Sequence, residues 1–379
     1  MENDDLFHRF RLGRERTQNI KNSEVFSLSY MPPKIFLRKQ AEEIADQIGD
    51  TIEGGAGEDL LITGLRGTGK TITVKYLLKK AEEYIKKENK DMFPLCYVSA
   101  RENNTYSLLL NLMAQLLGEE NKVKHGIQLE VLKKKLVNLL SQKRAIIAID
   151  EIEFLKDLDL LYILSRETRA MIIAIGTKPL WREQDLTDDS VKSSFNPRNI
   201  HFDPYKPDEI TQILTQRAEL GLNHYDPAGI NCLAGAVASE YNGDVRYGIL
   251  ALKVLGKWDR WSSEDVERAL AESIKDLELS ILRSLSNEKL GLLYLITQHP
   301  DGIRTADLYK IFFQKAHLSK TTFFFYIDEL ERLGLIYAGG RKKGRAYLVA
   351  PLIKHTGLVR EVAQDRGILE GAKLSDYLI

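Results

Sequence analysis

Short apolar runs alternate with longer amphipathic stretches through the first half of the chain. The runs occupy residues 59–63, 95–99, 145–150, 171–176 and 199–203. Between most of them, apolar residues recur with helical spacing, over residues 71–87, 106–117 and 129–142. Apolar runs of this length between helices are typical of buried parallel strands in an α/β sheet. The pattern therefore predicts a parallel sheet flanked by helices over residues 25–205.

The second half of the chain shows two further patterns, which begin after Pro204 and Pro207. Helical spacing predicts a small all-helical block within residues 206–277, with helices at 208–220, 227–240, 245–258 and 263–276. Further helical stretches are found at 287–298, 305–316 and 319–333. Two short apolar runs follow, at 335–338 and 346–349, separated by a basic turn that contains Gly339 and Gly340. This order predicts a winged helix-turn-helix over residues 278–360, and residues 361–379 are interpreted as a C-terminal tail.

Composition changes this picture only slightly. The chain has 379 residues with 54 basic and 54 acidic side chains, so its net charge neither favours nor excludes nucleic acid. Its two cysteines, Cys96 and Cys232, lie within apolar runs and are expected to be buried free thiols. We find neither a secretory leader nor an apolar run long enough to span a bilayer, and we expect a cytoplasmic protein.

A glycine-rich loop stands between the first predicted strand and the helix that follows it. The segment from Gly64 to Thr71 fits the pattern G-x-x-x-x-G-K-[ST] in the strand–loop–helix context that this pattern requires. Glycines let successive backbone N–H groups curl around phosphate oxygens, and the helix N-terminus adds partial positive charge. Lys70 would reach the β- and γ-phosphates, and the Thr71 hydroxyl would bind magnesium. The candidate nucleotide contacts here are Gly64, Leu65, Arg66, Gly67, Thr68, Gly69, Lys70, Thr71 and Thr73.

Hydrolysis needs a second group of residues, and the strand at 145–150 supplies it. This strand ends in Asp150, which is followed by Glu151. In P-loop enzymes the first carboxylate holds magnesium, and a carboxylate beside it can act as a general base on water. We therefore predict that Asp150 serves the metal and Glu151 the attacking water.

Two more polar residues are candidates for the same site. Thr177 follows the strand at 171–176 and would lie beside the γ-phosphate if that strand runs between the two motif strands; otherwise it is an ordinary strand end. Arg246 lies in the first turn of a predicted helix, where the macrodipole disfavours a cation. Either a nucleotide phosphate or an ion pair with Asp244 would hold it there.

The C-terminal block carries candidate DNA contacts. Short polar side chains open its third helix, and basic residues fill the hairpin turn, which suits phosphate and groove contacts. The candidates are Ser319, Lys320, Thr321, Thr322, Arg341, Lys342, Lys343 and Arg345. A solvated loop or a protein-binding surface would explain the same residues. The arginine-rich residues 1–24 are either a solvated arm or a further DNA contact.

Several separate segments together resemble one known family. The segments are Val25–Phe26, Tyr30–Pro32 with Arg38, the two phosphate-site motifs, and residues 161–166, 191–195, 202–205 and 243–246. They are similar to segments of the archaeal origin-recognition and helicase-loading AAA+ ATPases. The resemblance implies an AAA+ sheet domain, a helical lid and a winged helix. It also implies ATP or ADP with Mg²⁺ as ligands, and nucleotide contacts at Tyr30, Pro32, Arg38 and Tyr205.

By the same resemblance, the protein would be a nucleoid-associated replication initiator. It would bind double-stranded origin DNA, with self-association on that DNA left open, and recruit or load the MCM helicase. Two positions depart from the family pattern, because Thr177 stands where asparagine is usual and Ser190 where arginine is usual. These departures predict slow hydrolysis and a nucleotide used as a switch. The alternatives are a transposition- or defence-type ATPase whose winged helix binds protein, and a DNA-binding regulator with little ATPase activity.

Overall fold

The computed structural model describes residues 19–55, 57–88, 93–101, 104–117, 127–155, 157–177, 195–258, 260–316, 318–339 and 346–368. Several predicted features lie outside these residues. They are most of the basic arm, the segment 178–194 with Ser190, the basic turn with Arg341, Lys342, Lys343 and Arg345, and the end of the tail. The chain divides into two compact units, the first ending at Val266 and the second beginning at Glu267.

A parallel sheet forms the centre of the first unit, as the apolar runs predict. Its described strands are β1 (Leu60–Thr63), β2 (Leu95–Ser99), β3 (Ala145–Asp150), β4 (Ala170–Ile175) and β5 (Arg198–His201), in the order β2-β3-β4-β1-β5. Leu60 pairs with Ile173 on one side and Arg198 on the other, and every pairing in this sheet is parallel. The order places β4 between β1 and β3, the two strands that carry the phosphate-site motifs.

Burial explains why these strands are continuous apolar runs. Every residue of β3 and β4 is buried, because helices cover both faces of the sheet. Alternate residues of β3 point to opposite faces: Ile147 belongs to one core cluster and Ile146 to the other. Only Ile200 of β5 is buried, since β5 lies at the edge of the described sheet.

The described helices that cover the sheet include the three that the periodicity predicts, together with two that it did not, at residues 39–52 and 159–167. They are α1 (Lys39–Ile52), α2 (Lys70–Lys87), α3 (Thr105–Leu117), α4 (Leu129–Gln142) and α5 (Asp159–Glu167). Helices α3, α4 and α5 pack in one core cluster through residues such as Leu112, Leu136 and Leu161. Helices α1 and α2 pack on the opposite face, where Ile44 and Val74 are fully buried.

A helical lid follows the sheet within the first unit. It consists of α6 (Pro207–Gly221), α7 (Pro227–Glu240), α8 (Val245–Leu255) and the start of α9 (Ser263–Ser284). The predicted end of α8 at Trp258 is wrong, because the helix stops at Leu255 and Gly256 forms its C-cap. Helix α9 also continues past Asp276 to Ser284, through the position expected for a domain boundary.

Residues 19–30, here termed the N-terminal strap, pack against the lid. Ile20 forms a β-bridge with Leu222. The buried Arg217 of α6 donates hydrogen bonds to the carbonyls of Val25 (2.8 Å) and Tyr30 (3.3 Å). Asn19 and His224 are joined by two more hydrogen bonds. The strap therefore completes the lid from a distant part of the sequence.

The described part of the second unit has the elements of a winged helix-turn-helix. They are α10 (Asn287–Thr297), β6 (Ile303–Arg304), α11 (Thr305–Ala316), α12 (Lys320–Arg332), β7 (Ile336–Gly339), β8 (Leu348–Pro351) and α13 (Thr356–Asp365). The strands form an antiparallel sheet in the order β6-β8-β7. Helix α13 was not expected, and it packs on α10 through buried residues such as Val359.

Two expectations about individual side chains have different outcomes. Phe323 is buried in α12 while Phe325 remains 41% exposed, as expected for one of the three adjacent phenylalanines. Cys96 is buried, and burial raises the pKa of its thiol to about 12. Cys232 is exposed, so that prediction is wrong. Ile230 and Leu233 of α7 face the core, and the helical turn places Cys232 on the other side.

Across the described residues we find no helix apolar and long enough to cross a membrane.

Candidate functional site

The glycine-rich loop connects β1 to α2 in a conformation that requires glycine. Gly64, Gly67 and Gly69 all have positive φ, at 144°, 73° and 88°. A Cβ atom on Gly67 would lie 1.8 Å from Oδ1 of Asp244, and one on Gly69 would lie 2.0 Å from the Tyr205 hydroxyl. The missing side chains therefore let the lid residue Asp244 and the segment that leads into the lid approach the loop.

Lys70 lies inside the curve of the loop. Its buried ammonium group donates 2.7 Å hydrogen bonds to the carbonyls of Gly64 and Leu65. Burial lowers the pKa of Lys70 to about 8, while the negative charges of Glu153 and Asp150 oppose that shift. The loop thus holds a cation at its centre, as a phosphate-gripping lysine requires. Thr68 and Thr73 are also buried at this junction.

Asp150 meets the first turn of α2 at the carboxyl end of β3. The Thr71 hydroxyl donates to its Oδ2 at 2.7 Å, and the Tyr97 hydroxyl donates to the same oxygen at 2.5 Å. A hydroxyl and a carboxylate in contact are oxygen ligands of the kind that Mg²⁺ prefers beside phosphates and water. Among the described residues no group of three or more His, Cys, Asp or Glu could hold a metal ion, so a metal here would take only part of its shell from such side chains.

Glu151 follows at the turn after β3. Its backbone is left-handed, with φ of 52°. Its carboxylate accepts a hydrogen bond from the Ser99 hydroxyl at 3.1 Å and pairs with Arg101 at 3.4 Å. The side chain is 33% exposed, so water can reach it, and the neighbouring strand ends fix its position. This placement agrees with a base that orients water.

Thr177 meets the condition set by the sequence, because β4 lies between β1 and β3. Its hydroxyl donates to Oε1 of Glu153 at 3.0 Å. The other oxygen of Glu153 is buried and has no hydrogen-bond partner among the described residues. Sequence reasoning missed Glu153. The available signal was its position three residues after Asp150, in the 3-10 turn Ile152–Phe154.

Arg246 pairs with Asp244, as the ion-pair alternative expected. Its Nε donates to Oδ1 of Asp244 at 2.8 Å, and Asp244 also caps α8 by accepting from the Arg246 backbone N–H. Arg246 is nevertheless close to the loop. Burial lowers the pKa of Arg66, and the positive charges of Arg246 and Arg101 lower it further. The positive charges of Arg246 and Arg101 therefore both reach Arg66 in the loop, which favours a polyanionic ligand.

Two of the four residues implied by the family resemblance lie together beside the loop. The Arg38 guanidinium stacks 4.6 Å from the ring centre of Tyr205, whose hydroxyl reaches Gly69. Burial raises the pKa of that hydroxyl to about 12. Tyr30 instead contacts Arg217 of the lid, at 5.0 Å from its ring centre. Pro32 is buried, and its role as a nucleotide contact stays a prediction.

The candidate DNA contacts in the second unit begin α12. Ser319 is the N-cap of this helix and accepts from the Thr322 backbone N–H at 3.1 Å. Lys320 and Thr321 are exposed in the first helical turn. The basic turn lies outside the described residues, so its four cations remain predicted contacts.

Comparison with known proteins finds relatives that match most of the chain. The family model of the AAA domain matches residues 58–182, which contain both phosphate-site motifs. An ORC1-type DNA replication protein 1 from Methanosarcina mazei is 28% identical over 353 residues, covering 86% of this chain and 85% of that protein. An ORC1-type DNA replication protein from Methanothermobacter thermautotrophicus is 28% identical over 354 residues, covering 87% and 92%. Over most of its length the chain is therefore similar to ORC1-type DNA replication proteins.

Solved structures share the fold of this chain. The Aeropyrum pernix ORC1 protein in complex with DNA has a TM-score of 0.72 at 24% identity, covering 92% of this chain and 98% of that one. The Aeropyrum pernix ORC2 protein in its ADPNP–ADP complexes has a TM-score of 0.56 at 23% identity, covering 92% and 100%. The AAA+ fold class is thereby confirmed.

Proposed function

We propose that this protein is an ATP-dependent DNA replication initiator that binds origin DNA and recruits or loads the MCM helicase. One observation supports this more than any other. The phosphate loop, the Asp150–Thr71 pair and the lid residue Asp244 meet within one unit of a chain that also contains winged-helix elements. A nucleotide at the loop would therefore touch the lid, which is the requirement for a nucleotide-controlled switch.

ATP binding follows from the loop geometry. Lys70 would exchange its two carbonyl partners for oxygens of the β- and γ-phosphates. Thr71 and Asp150 would hold Mg²⁺, which neutralises phosphate charge when bound. Glu151 would orient a water and accept its proton as the water oxygen attacks the γ-phosphorus and the bond to the β-phosphate oxygen breaks, giving ADP and phosphate.

The lid would sense the nucleotide through Arg246. Its side chain pairs with Asp244 in this structure, and a phosphate would compete for the same guanidinium. Because Asp244 also approaches Gly67, a change at Arg246 would alter the contact between lid and loop. The protein would thus use ATP mainly to set its conformation, with slow hydrolysis.

DNA binding would involve the start of α12 and the basic turn. Exposed Lys320 and Thr321 at a helix N-terminus suit phosphate and base-edge contacts. Two relatives of known structure, the Aeropyrum pernix ORC1 protein and Drosophila ORC, are described as bound to DNA, which supports the same role here. Similarity to ORC1-type DNA replication proteins also favours replication over a transposition- or defence-type ATPase.

A titration of duplex DNA at several salt concentrations tests the DNA-binding role. Replacing Lys342 and Lys343 with alanine should weaken binding to all sequences. It should also reduce the slope of log affinity against log salt by about 2, because each lost phosphate contact removes roughly 0.9. Alanine at Lys134 and Lys135, two exposed lysines of α4, is the matched control and should change neither. Unchanged DNA binding in the Lys342/Lys343 variant would contradict the role of the turn.

A second candidate is a DNA-binding regulator with little ATPase activity. The hydrogen bond from Thr177 to Glu153 favours it, because that hydroxyl is engaged by protein. Chromatin mapping of the bound sites separates the two functions. A sharp peak at a replication start, with MCM recovered on the same DNA, is expected for an initiator. Promoter peaks without MCM would support the regulator.

A further inference from the structure

Thr177 and Glu153 form a pair that the mechanism above does not use. The Thr177 hydroxyl lies 3.0 Å from Oε1 of Glu153. Glu153 belongs to the 3-10 turn Ile152–Phe154 directly after Asp150 and Glu151, so the second phosphate-site motif fixes its backbone. Its other oxygen, Oε2, is buried and has no hydrogen-bond partner among the described residues. Among the described residues, the Thr177 hydroxyl is therefore the hydrogen-bond donor to this carboxylate.

The number of donor protons on Thr177 limits how many partners its hydroxyl can serve. A hydroxyl carries one donor proton, and an ionised carboxylate can only accept. While the hydrogen bond is present, the Thr177 hydroxyl donates its one proton to Glu153 and has none to donate to a phosphate oxygen. Asparagine at the same position would carry two N–H donors on one nitrogen and could serve both partners.

Sheet order and charge place the pair beside the phosphate loop, where a triphosphate would bind. Thr177 follows β4, between the strand ends that carry Gly64 and Asp150. Burial lowers the pKa of Lys70, and among the charges that oppose this shift Glu153 acts more strongly than Asp150. Glu153 is thus an electrostatic neighbour of the lysine expected to grip the β- and γ-phosphates.

We propose that Glu153 is a positioning residue that withholds the Thr177 hydroxyl from the γ-phosphate, so that the site distinguishes ATP from ADP only weakly. This inference rests on the proposed function, because it requires nucleotide at the loop. Removing Glu153 frees the hydroxyl for a phosphate that only the triphosphate has. One hydrogen bond to a charged group corresponds to about a tenfold change in affinity or more.

Calorimetric titration of the full chain with Mg²⁺ and either ADP or the non-hydrolysed analogue ADPNP tests the inference. The measured quantity is the ratio of Kd for ADP to Kd for ADPNP. We expect Glu153→Ala to raise this ratio about tenfold. Thr177→Val, which removes the hydroxyl, should leave the ratio at the wild-type value, and the double variant should show none of the gain.

Either of two results would overturn the inference. One is an unchanged ratio in Glu153→Ala. The other is a gain that persists in the Glu153→Ala/Thr177→Val variant, because the loss of charge alone would then explain it. Thr177→Asn offers a second route if Glu153→Ala does not fold. It keeps Glu153 and adds a donor, so it should also raise the ratio about tenfold, and an unchanged ratio there counts equally against the inference.

Lys70→Ala separates this inference from the proposed function. If the wild-type protein binds neither nucleotide, or if Lys70→Ala binds both as tightly as wild type, the nucleotide switch itself is wrong. A different outcome would contradict only the role of Glu153. In that outcome wild type binds both nucleotides and Lys70→Ala binds neither, but the ratio of Kd for ADP to Kd for ADPNP is unchanged in Glu153→Ala and Thr177→Asn.

Discussion

Replacing Gly67 with alanine should separate the lid from the phosphate loop. The added Cβ would lie 1.8 Å from Oδ1, 2.3 Å from Cγ and 2.9 Å from Cα of Asp244. Because the last of these atoms is backbone, rotation of the Asp244 side chain cannot relieve the whole clash. The alanine would also keep a backbone φ of about 73°, which residues other than glycine rarely adopt.

The structure sets the size of the effect. Left-handed backbone costs an alanine roughly 1–2 kcal/mol. Asp244 must also move by more than about 1 Å to reach ordinary contact, which disrupts its hydrogen bond to the Arg246 backbone N–H. Losing a helix N-cap costs about 1 kcal/mol. The unfolding free energy of the first unit should therefore fall by about 2–3 kcal/mol, and ADPNP affinity should fall with it.

Two other glycines of the first unit are matched controls. Gly54 has a φ of 94°, but a Cβ there meets only the Arg144 guanidinium at 3.6 Å, so Gly54→Ala measures backbone strain without the clash. Gly49 lies within α1 with nothing within 4 Å of an added Cβ. Gly49→Ala should stabilise by about 0.5–1 kcal/mol, because alanine favours a helix.

Urea unfolding followed by tryptophan fluorescence is a suitable assay. The three tryptophans all precede Glu267, so the signal reports on the first unit. The expected order of stability is Gly49→Ala, wild type, Gly54→Ala and Gly67→Ala. If Gly67→Ala is no less stable than Gly54→Ala and binds ADPNP normally, the close contact between loop and lid is not part of the folded protein.

Three further predictions concern other residues. Glu151→Gln should bind ATP as wild type does and hydrolyse it at least about 100-fold more slowly; a wild-type rate of phosphate release would remove Glu151 from the mechanism. A thiol reagent should label Cys232 in the native protein and reach Cys96 only after denaturation, so Cys232→Ser should abolish native labelling, and a remaining labelled thiol would contradict the burial of Cys96. Burial raises the pKa of Asp59 in the folded state, so the charged form is disfavoured and the contribution of Asp59 to stability falls as pH rises through that raised pKa. The stability of Asp59→Asn relative to wild type should therefore be more favourable at about pH 7 than at about pH 4. Urea unfolding at both pH values measures this difference, and the same difference at both would contradict the prediction.

The sheet and its motifs could be predicted from sequence because local pattern and burial agree there. The strand Ala145–Asp150 is apolar throughout since helices cover both of its faces, and its observed bounds equal the predicted ones. The loop at Gly64 is equally readable, because its conformation requires glycine at fixed positions. Both features depend on residues that are close together in the chain.

Other features depend on contacts between distant residues, which one sequence does not reveal. The Thr177–Glu153 hydrogen bond forms only because β4 inserts between β3 and β1. Cys232 is exposed because of where α7 packs, although its neighbours in sequence are apolar. Helix α9 passes the expected boundary since nothing in its sequence around Asp276 breaks a helix.

The N-terminal strap has a consequence for how the protein folds during synthesis. Asn19 leaves the ribosome long before His224, its hydrogen-bond partner 205 residues later. The strap must therefore wait for most of the first unit to be translated, and closing so long a loop is entropically costly. A fragment that contains the lid helices alone would lack the chain that covers Arg217, so the lid is best expressed and studied together with the segment that begins at Asn19.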